Sequence, residues 1–194
     1  MTTVAHERIY TPDDLLRLPD GDQFELVHGR LVERDMGLEA VAITAQILGL
    51  LWLFLRDNRI GHLFRSEASY ACFPDDPNHA RRPDVSVICF GRLAGERLPR
   101  GHCPIAPDLA VEVVSPNDAA EEISTKISEL QAVGVRLIWV VYPTTRRVLV
   151  HRLRPSPEAR IAELTEADTI GGEDVLPGFS CAVAEFFRGC IPPQ

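Results

Sequence analysis

Three side chains in this sequence, Asp84, Glu112 and Lys126, are of types that could together hold a hard divalent cation and a phosphate. Glu112 is the sharpest of them. It is the only charge inside Leu109-Ala110-Val111-Glu112-Val113-Val114, a run that reads as a strand buried on both faces. An isolated carboxylate there costs on the order of several kcal/mol unless it is paired, protonated or bound to a metal. The alternative is a place at the strand's exposed tip or an arginine partner. Asp84 opens a second apolar run, Val85-Ser86-Val87-Ile88. Two carboxylates at neighbouring strand ends make an oxygen-rich cage for Mg²⁺, and the Val113 carbonyl is a further oxygen beside them. Lys126 follows Ile123 by three residues and precedes Leu130 by four, on or beside the apolar face of a helix. There it either snorkels from the core edge or aims a cation at the strand ends, toward phosphate or an attacking water.

The elements that must position these groups are legible around them. Pro83 enters the Val85–Ile88 strand at a position a strand tolerates, and residues 91 to 107 read as loop. Ser115-Pro116-Asn117-Asp118 ends the Glu112 strand and caps a helix running to about Val133, where Gly134 stops it. Arg136 to Val141 is a further buried strand, turned by Pro143 to Arg146 into Arg147 to Leu153. Strand, helix, strand implies a crossover between parallel neighbours. Upstream, Thr11-Pro12-Asp13-Asp14 starts a short helix, and Phe24–Val27 and Arg30–Glu33 flank His28-Gly29 as a hairpin. Ala40 to Arg56 reads as a buried core helix and Leu63 to Phe73 as a strand. The tail reads as an edge strand, Arg160 to Leu164, plus a short element from Gly178 to Phe187.

With 194 residues, 45% of them hydrophobic and 25% charged, the chain fits one domain over about residues 10 to 190. A formal charge of −8 excludes the broad basic surplus of a generic nucleic-acid binder. Phosphate contact would then have to be local. Arg81 and Arg82, directly before the site, are expected either to supply it or to be a solvated loop. Five cysteines without a C-x-x-C pair predict a reducing, cytoplasmic setting rather than a disulfide framework. The apolar stretch Ala40 to Leu55 falls short of the roughly 20 residues that span a bilayer, so no membrane is expected. Six histidines (His6, His28, His62, His79, His102, His151) show no metal-binding spacing and are expected on the surface or in loops.

Pro83-Asp84, followed after twenty-eight residues by Glu112-Val113-Val114, resembles the signature of the PD-(D/E)XK nucleases. More closely, several segments are similar to the bacterial Uma-two family of restriction-endonuclease-like proteins. They are Phe24 to Val32, Arg82 to Val87, Pro107 to Pro116, Gly134-Val135 leading into Ile138 to Val141, and Leu176-Pro177-Gly178. The resemblance implies an α/β, restriction-endonuclease-like fold: a mixed β-sheet flanked by helices, with an N-terminal helix and hairpin. It implies a Mg²⁺ or Mn²⁺ site with Asp84 and Glu112 as ligands, Glu25 as a further acid, and cleavage of nucleic acid, DNA first. The signature's usual lysine position is Val114 here, and the family's lysine comes instead from the following helix, which Lys126 fits. Leu130 stands where the family carries a tyrosine, and Tyr142 where it carries an aspartate.

Three functions are therefore in play. The first is a metal-dependent nuclease using Asp84, Glu112, Lys126 and Glu25, for which a homodimer would suit cutting of both strands. The second is a non-catalytic binding or assembly module on the same fold. The third is an unrelated small-molecule enzyme using Ser115, or Cys103 with His102, neither in a recognisable triad spacing.

Overall fold

The computed structural model describes residues 8–34, 36–153 and 161–190. Helix α1 (Pro12–Arg17) begins where Thr11-Pro12-Asp13-Asp14 predicts. The Asp14 amide donates to Thr11 Oγ1 at 3.2 Å and the Thr11 amide to Asp14 Oδ2 at 2.9 Å, a reciprocal cap. Strands β1 (Phe24–Val27) and β2 (Arg30–Glu33) form the expected hairpin. His28 (φ 50°) and Gly29 (φ 78°) both take the left-handed conformation that a two-residue turn needs to match strand twist. The hairpin stands apart from the main sheet. Leu26 and Ala80 exchange backbone hydrogen bonds of 2.9 and 2.8 Å, which dock it on the segment ahead of the Asp84 strand.

Helix α2 (Leu38–Asp57) leads into β3 (Gly61–Arg65), then β4 (Val85–Cys89) and β5 (Leu109–Val113). Helix α3 (Ala120–Ala132) connects β5 to β6 (Leu137–Tyr142), which is followed by β7 (Arg147–Arg152) and β8 (Ile161–Leu164). These six strands form one sheet in the order β3-β4-β5-β6-β7-β8, parallel at β5–β6 and antiparallel at the other pairings. Strands β9 (Thr169–Gly171) and β10 (Ser180–Ala182) pair separately and lead into a 3-10 turn, Val183–Phe187. Arg160, expected in the edge strand, lies outside the described residues.

Period-two alternation divides the sheet into two packed layers. Val85, Val87, Val111, Val113, Trp139 and Val141 meet the α2 stripe Ala40, Ile43, Ile47, Leu51 and Leu55. Ala110, Ile138 and Val140 meet Ile127 and Leu130 of α3 on the other face. Glu112, between Val111 and Val113, must therefore face α3. At the end of α3, Gly134 (φ 94°) allows the Val135 amide to reach Leu130 O and its own amide to reach Gln131 O, both at 3.0 Å. That arrangement satisfies the last carbonyls and stops the helix.

Three local expectations are corrected. Strand β3 ends at Arg65 rather than Phe73, because the chain turns there and Tyr70 pairs with Arg81 and Cys103 instead. Asp118 does not cap α3: its carboxylate accepts the Ser115 amide at 2.7 Å, and the helix starts after Ala119 without a side-chain cap. Helix α2 is buried along one stripe only, since Leu38, Val41, Trp52 and Leu53 are exposed. By length and composition alone it would be long enough to cross a membrane.

Candidate metal centre

Strand β4 runs antiparallel to β5 with Val85 opposite Val111. The Asp84 amide donates to Val111 O at 3.0 Å, which continues the ladder one step and sets Asp84 beside Glu112. Both carboxylates belong to the α3 face, and α3 supplies the cation that meets Glu112. Lys126 Nζ lies 2.7 Å from Glu112 Oε2 and 3.0 Å from Glu25 Oε1. Glu25 reaches in because the docked hairpin carries it there: its Oε1 accepts the Arg82 amide at 2.6 Å and its Oε2 accepts Arg81 Nη1 at 3.0 Å. Asp84 is held on both oxygens, Oδ1 by Arg34 Nη2 at 2.9 Å and Oδ2 by the Val113 amide at 2.8 Å. The structure thus gathers Asp84, Glu112, Lys126 and Glu25 in one cleft of about 480 Å³. Val113 enters through its amide, which fixes Asp84.

The two arginines expected either at phosphate or in a solvated loop are both buried, and Arg81 still lines the cleft. Arg81 is 6% exposed and bridges Glu25 to Glu129, whose Oε2 accepts its Nε at 2.7 Å and lies 2.6 Å from Nη2. Arg82 is 4% exposed and donates to the backbone oxygens of Phe24, Gly21 and Glu67. The docked hairpin is the reason. It converts what reads as a basic surface loop into an internal brace. Arg34 does occupy the cleft, yet nothing in the sequence singles it out: its partner Asp84 is 50 residues away. The other candidate nucleophiles form no triad. Ser115 accepts the Gly37 amide, and His102 is spent on Ser69 Oγ and Pro12 O. Burial pushes the Cys103 thiol up.

The charges do not share Lys126 equally. Burial pushes the Glu25 carboxyl up, but Lys126, Arg81 and the Arg82 amide outweigh burial and hold it down at about 2. Glu112 has the same lysine and no arginine. Burial, with Asp84 and Glu25 nearby, raises it to about 8 despite the 2.7 Å contact. Asp84 is also raised, by burial first. For Lys126 burial lowers and the three carboxylates raise, and the carboxylates win. A lysine shifted upward would suggest two fully ionised partners, which conflicts with a raised Glu112. One cation facing three buried carboxylates resolves this: Glu25 is ionised and Glu112 is the group left short of positive charge.

Glu112 Oε1 is buried and has no hydrogen-bond partner among the described residues. Seven acidic side chains and three basic ones line the cleft. An unpartnered carboxylate oxygen amid excess negative charge and oxygen donors fits an oxygen-seeking divalent cation.

Comparison with known proteins bears on the fold and the family. No curated protein matches the chain. A crystal structure of "a putative nuclease belonging to DUF820" from Anabaena variabilis ATCC 29413 superposes with a TM-score of 0.75 at 20% identity. The match covers 93% of this chain and 99% of that one, and shows a shared fold. The family described as "Uma2: Putative restriction endonuclease" matches residues 12–184, and with so much of its length accounted for the chain belongs to that family.

Proposed function

We propose that the cleft hydrolyses phosphodiester bonds of nucleic acid, DNA in the first instance, with Mg²⁺ or Mn²⁺ as cofactor. The observation that carries this reading is the buried, unpartnered Oε1 of Glu112 beside Asp84 and Lys126. Asp84 and Glu112 would hold the ion, with the Val113 carbonyl as a backbone ligand. When bound, the ion supplies charge neutralisation at the phosphate and acidifies water. Lys126 is held protonated by its carboxylate neighbours, so it serves as a cation for developing negative charge rather than as a general base. Glu25, ionised and bonded through both oxygens, orients Lys126 and Arg81. Arg34 reaches the cleft from β2 and is the cation best placed to meet a phosphate once the acids are neutralised. An acidic cleft repels a polyanion, so substrate binding should itself require the divalent ion. Cutting both strands of a duplex would favour two-fold pairing of chains.

Asp84→Asn is expected to remove Mg²⁺- or Mn²⁺-dependent cleavage of DNA while the fold persists, measured on plasmid and linear substrates. Equal cleavage by wild type and variant, or none by wild type with either ion, overturns the reading. One observation favours a second reading, a non-catalytic module on the same fold. Both Asp84 oxygens are already satisfied, by the Arg34 cation and the Val113 amide, so this internal pairing could stand in for a metal. Calorimetric titration with Mn²⁺ separates the two, since the second reading expects no binding in the cleft.

A further inference from the structure

Outside the cleft, His28, His79 and Glu129 converge from the hairpin turn, the segment ahead of β4, and α3. One ligand atom from each lies within 4.8 Å of the other two. His79 is 2% exposed, against the surface or loop position its sequence suggests, and its ring packs on Phe73 with centroids 4.3 Å apart. Asp76 addresses both rings: its Oδ2 is 2.6 Å from His28 Nδ1 and 3.6 Å from His79 Nδ1. At 2.6 Å the carboxylate holds the proton on His28 Nδ1 and leaves that ring's Nε2 lone pair for a ligand, as in metal-binding imidazoles. His79 Nε2 faces Glu129 Oε2 at 3.2 Å, and Arg81 Nε donates to that same oxygen at 2.7 Å, which leaves Glu129 Oε1 as the carboxylate oxygen for an ion.

We propose that His28, His79 and Glu129 form a second metal site, with Asp76 orienting the His28 imidazole and lying beside that of His79. Two imidazole nitrogens and one carboxylate suit a borderline ion such as Zn²⁺ or Co²⁺ better than Mg²⁺. The site differs in chemistry from the all-oxygen cleft and does not depend on the cleft's proposed activity. On binding, the ion bridges His79 Nε2 and Glu129 while the imidazole keeps its single proton on Nδ1, on the Asp76 side, and any further proton on Nε2 leaves to solvent. The bound ion ties the hairpin turn to α3, and α3 also carries Lys126.

The test is titration of the full chain with Co²⁺, followed optically, and with Zn²⁺ by chelator competition, both with Mg²⁺ saturating the cleft. Wild type is expected to bind one ion per chain with an imidazole–carboxylate spectrum and to gain thermal stability from Zn²⁺. His28→Ala removes an exposed side chain, so folding is preserved. It should weaken binding by more than about tenfold and abolish the Zn²⁺-dependent rise in Tm. Asp76→Asn should weaken binding about ten- to hundredfold through the lost orientation of the His28 ring. Three results overturn the proposal: no Co²⁺ or Zn²⁺ binding by wild type, wild-type affinity in His28→Ala, or a thiolate-to-cobalt band showing cysteine ligation.

Discussion

Glu112→Gln is expected to lower divalent-dependent cleavage by more than about 100-fold, and to flatten the pH dependence of stability measured without metal. The activity loss follows from scale. Losing a group that merely orients a metal ligand costs about 10–100-fold, so losing a ligand should exceed that. The stability effect follows from the direction of the Glu112 shift. Its carboxyl, ordinarily at 4.5, titrates at about 8 in the fold because burial opposes ionisation. Between those values the folded chain keeps a proton that the unfolded chain releases, so rising pH favours unfolding. Wild type without metal should therefore lose on the order of a few kcal/mol between pH about 4.5 and about 8, most steeply in the middle of that window, where the unfolded chain has released the proton and the folded chain still holds it. Glutamine has no proton to lose, and its profile should lack this fall. Mn²⁺ should restore wild type at pH 8 and leave the variant unchanged. Glu25 has the opposite sign. Held down at about 2 from 4.5, it contributes stability above pH 4.5 that is lost as pH falls toward 2, in wild type and variant alike. Superimposable pH profiles measured by thermal melting would refute this account of Glu112.

Arg81→Met should destabilise the chain by about 3–5 kcal/mol, the usual cost of removing one partner from a buried ion pair. Arg81 is 6% exposed and is shared by Glu25 and Glu129. Its loss would leave Glu25 on Lys126 and the Arg82 amide, and Glu129 on His79. Adding Glu129→Gln should recover part of the loss, because the second change removes one of the stranded charges. Urea unfolding of both variants without metal measures this. An arginine that only touched phosphate would behave otherwise: stability would be unchanged and the salt dependence of nucleic-acid binding would weaken. That outcome would return Arg81 to the surface role its position in the sequence suggests.

How much of the site could be read from the residues depends on the range of the signal. Glu112 and Asp84 were legible because strand alternation is local, and a charge in an apolar strand is conspicuous within six residues. Lys126 was legible in part. Helical spacing put it by the core, but only the family resemblance gave it a task in place of the lysine absent at Val114. Arg34, Glu129 and His79 were not legible. Arg34 meets Asp84 across 50 residues and His79 meets Glu129 across 50, and no periodicity carries information over that distance. The burial of Arg81 and Arg82 was not legible for a related reason. Whether a basic pair is solvated or braced depends on the Leu26–Ala80 docking of the hairpin, a tertiary event. The sheet was easier: runs such as Leu109–Val113 and Leu137–Tyr142 are apolar throughout, and the single helix between them leaves a parallel crossover as the natural connection.

Lys126 and Glu129 lie one turn apart on α3 and close on the two ends of the same pair, Glu25 and Arg81. The helix is in effect a caliper. At 1.5 Å rise per residue its jaws are about 4.5 Å apart along the axis, and slipping by one turn would open both contacts together. The lysine at the cleft therefore cannot drift independently of a salt bridge on the far side of Arg81. Amides in the middle turn of α3 should share a single opening free energy in hydrogen exchange, rather than fraying one by one. Placing the lysine on a helix instead of on the Glu112 strand thus gives the cleft a gauge: the side chain stays at its working distance only while the whole helical turn stays docked.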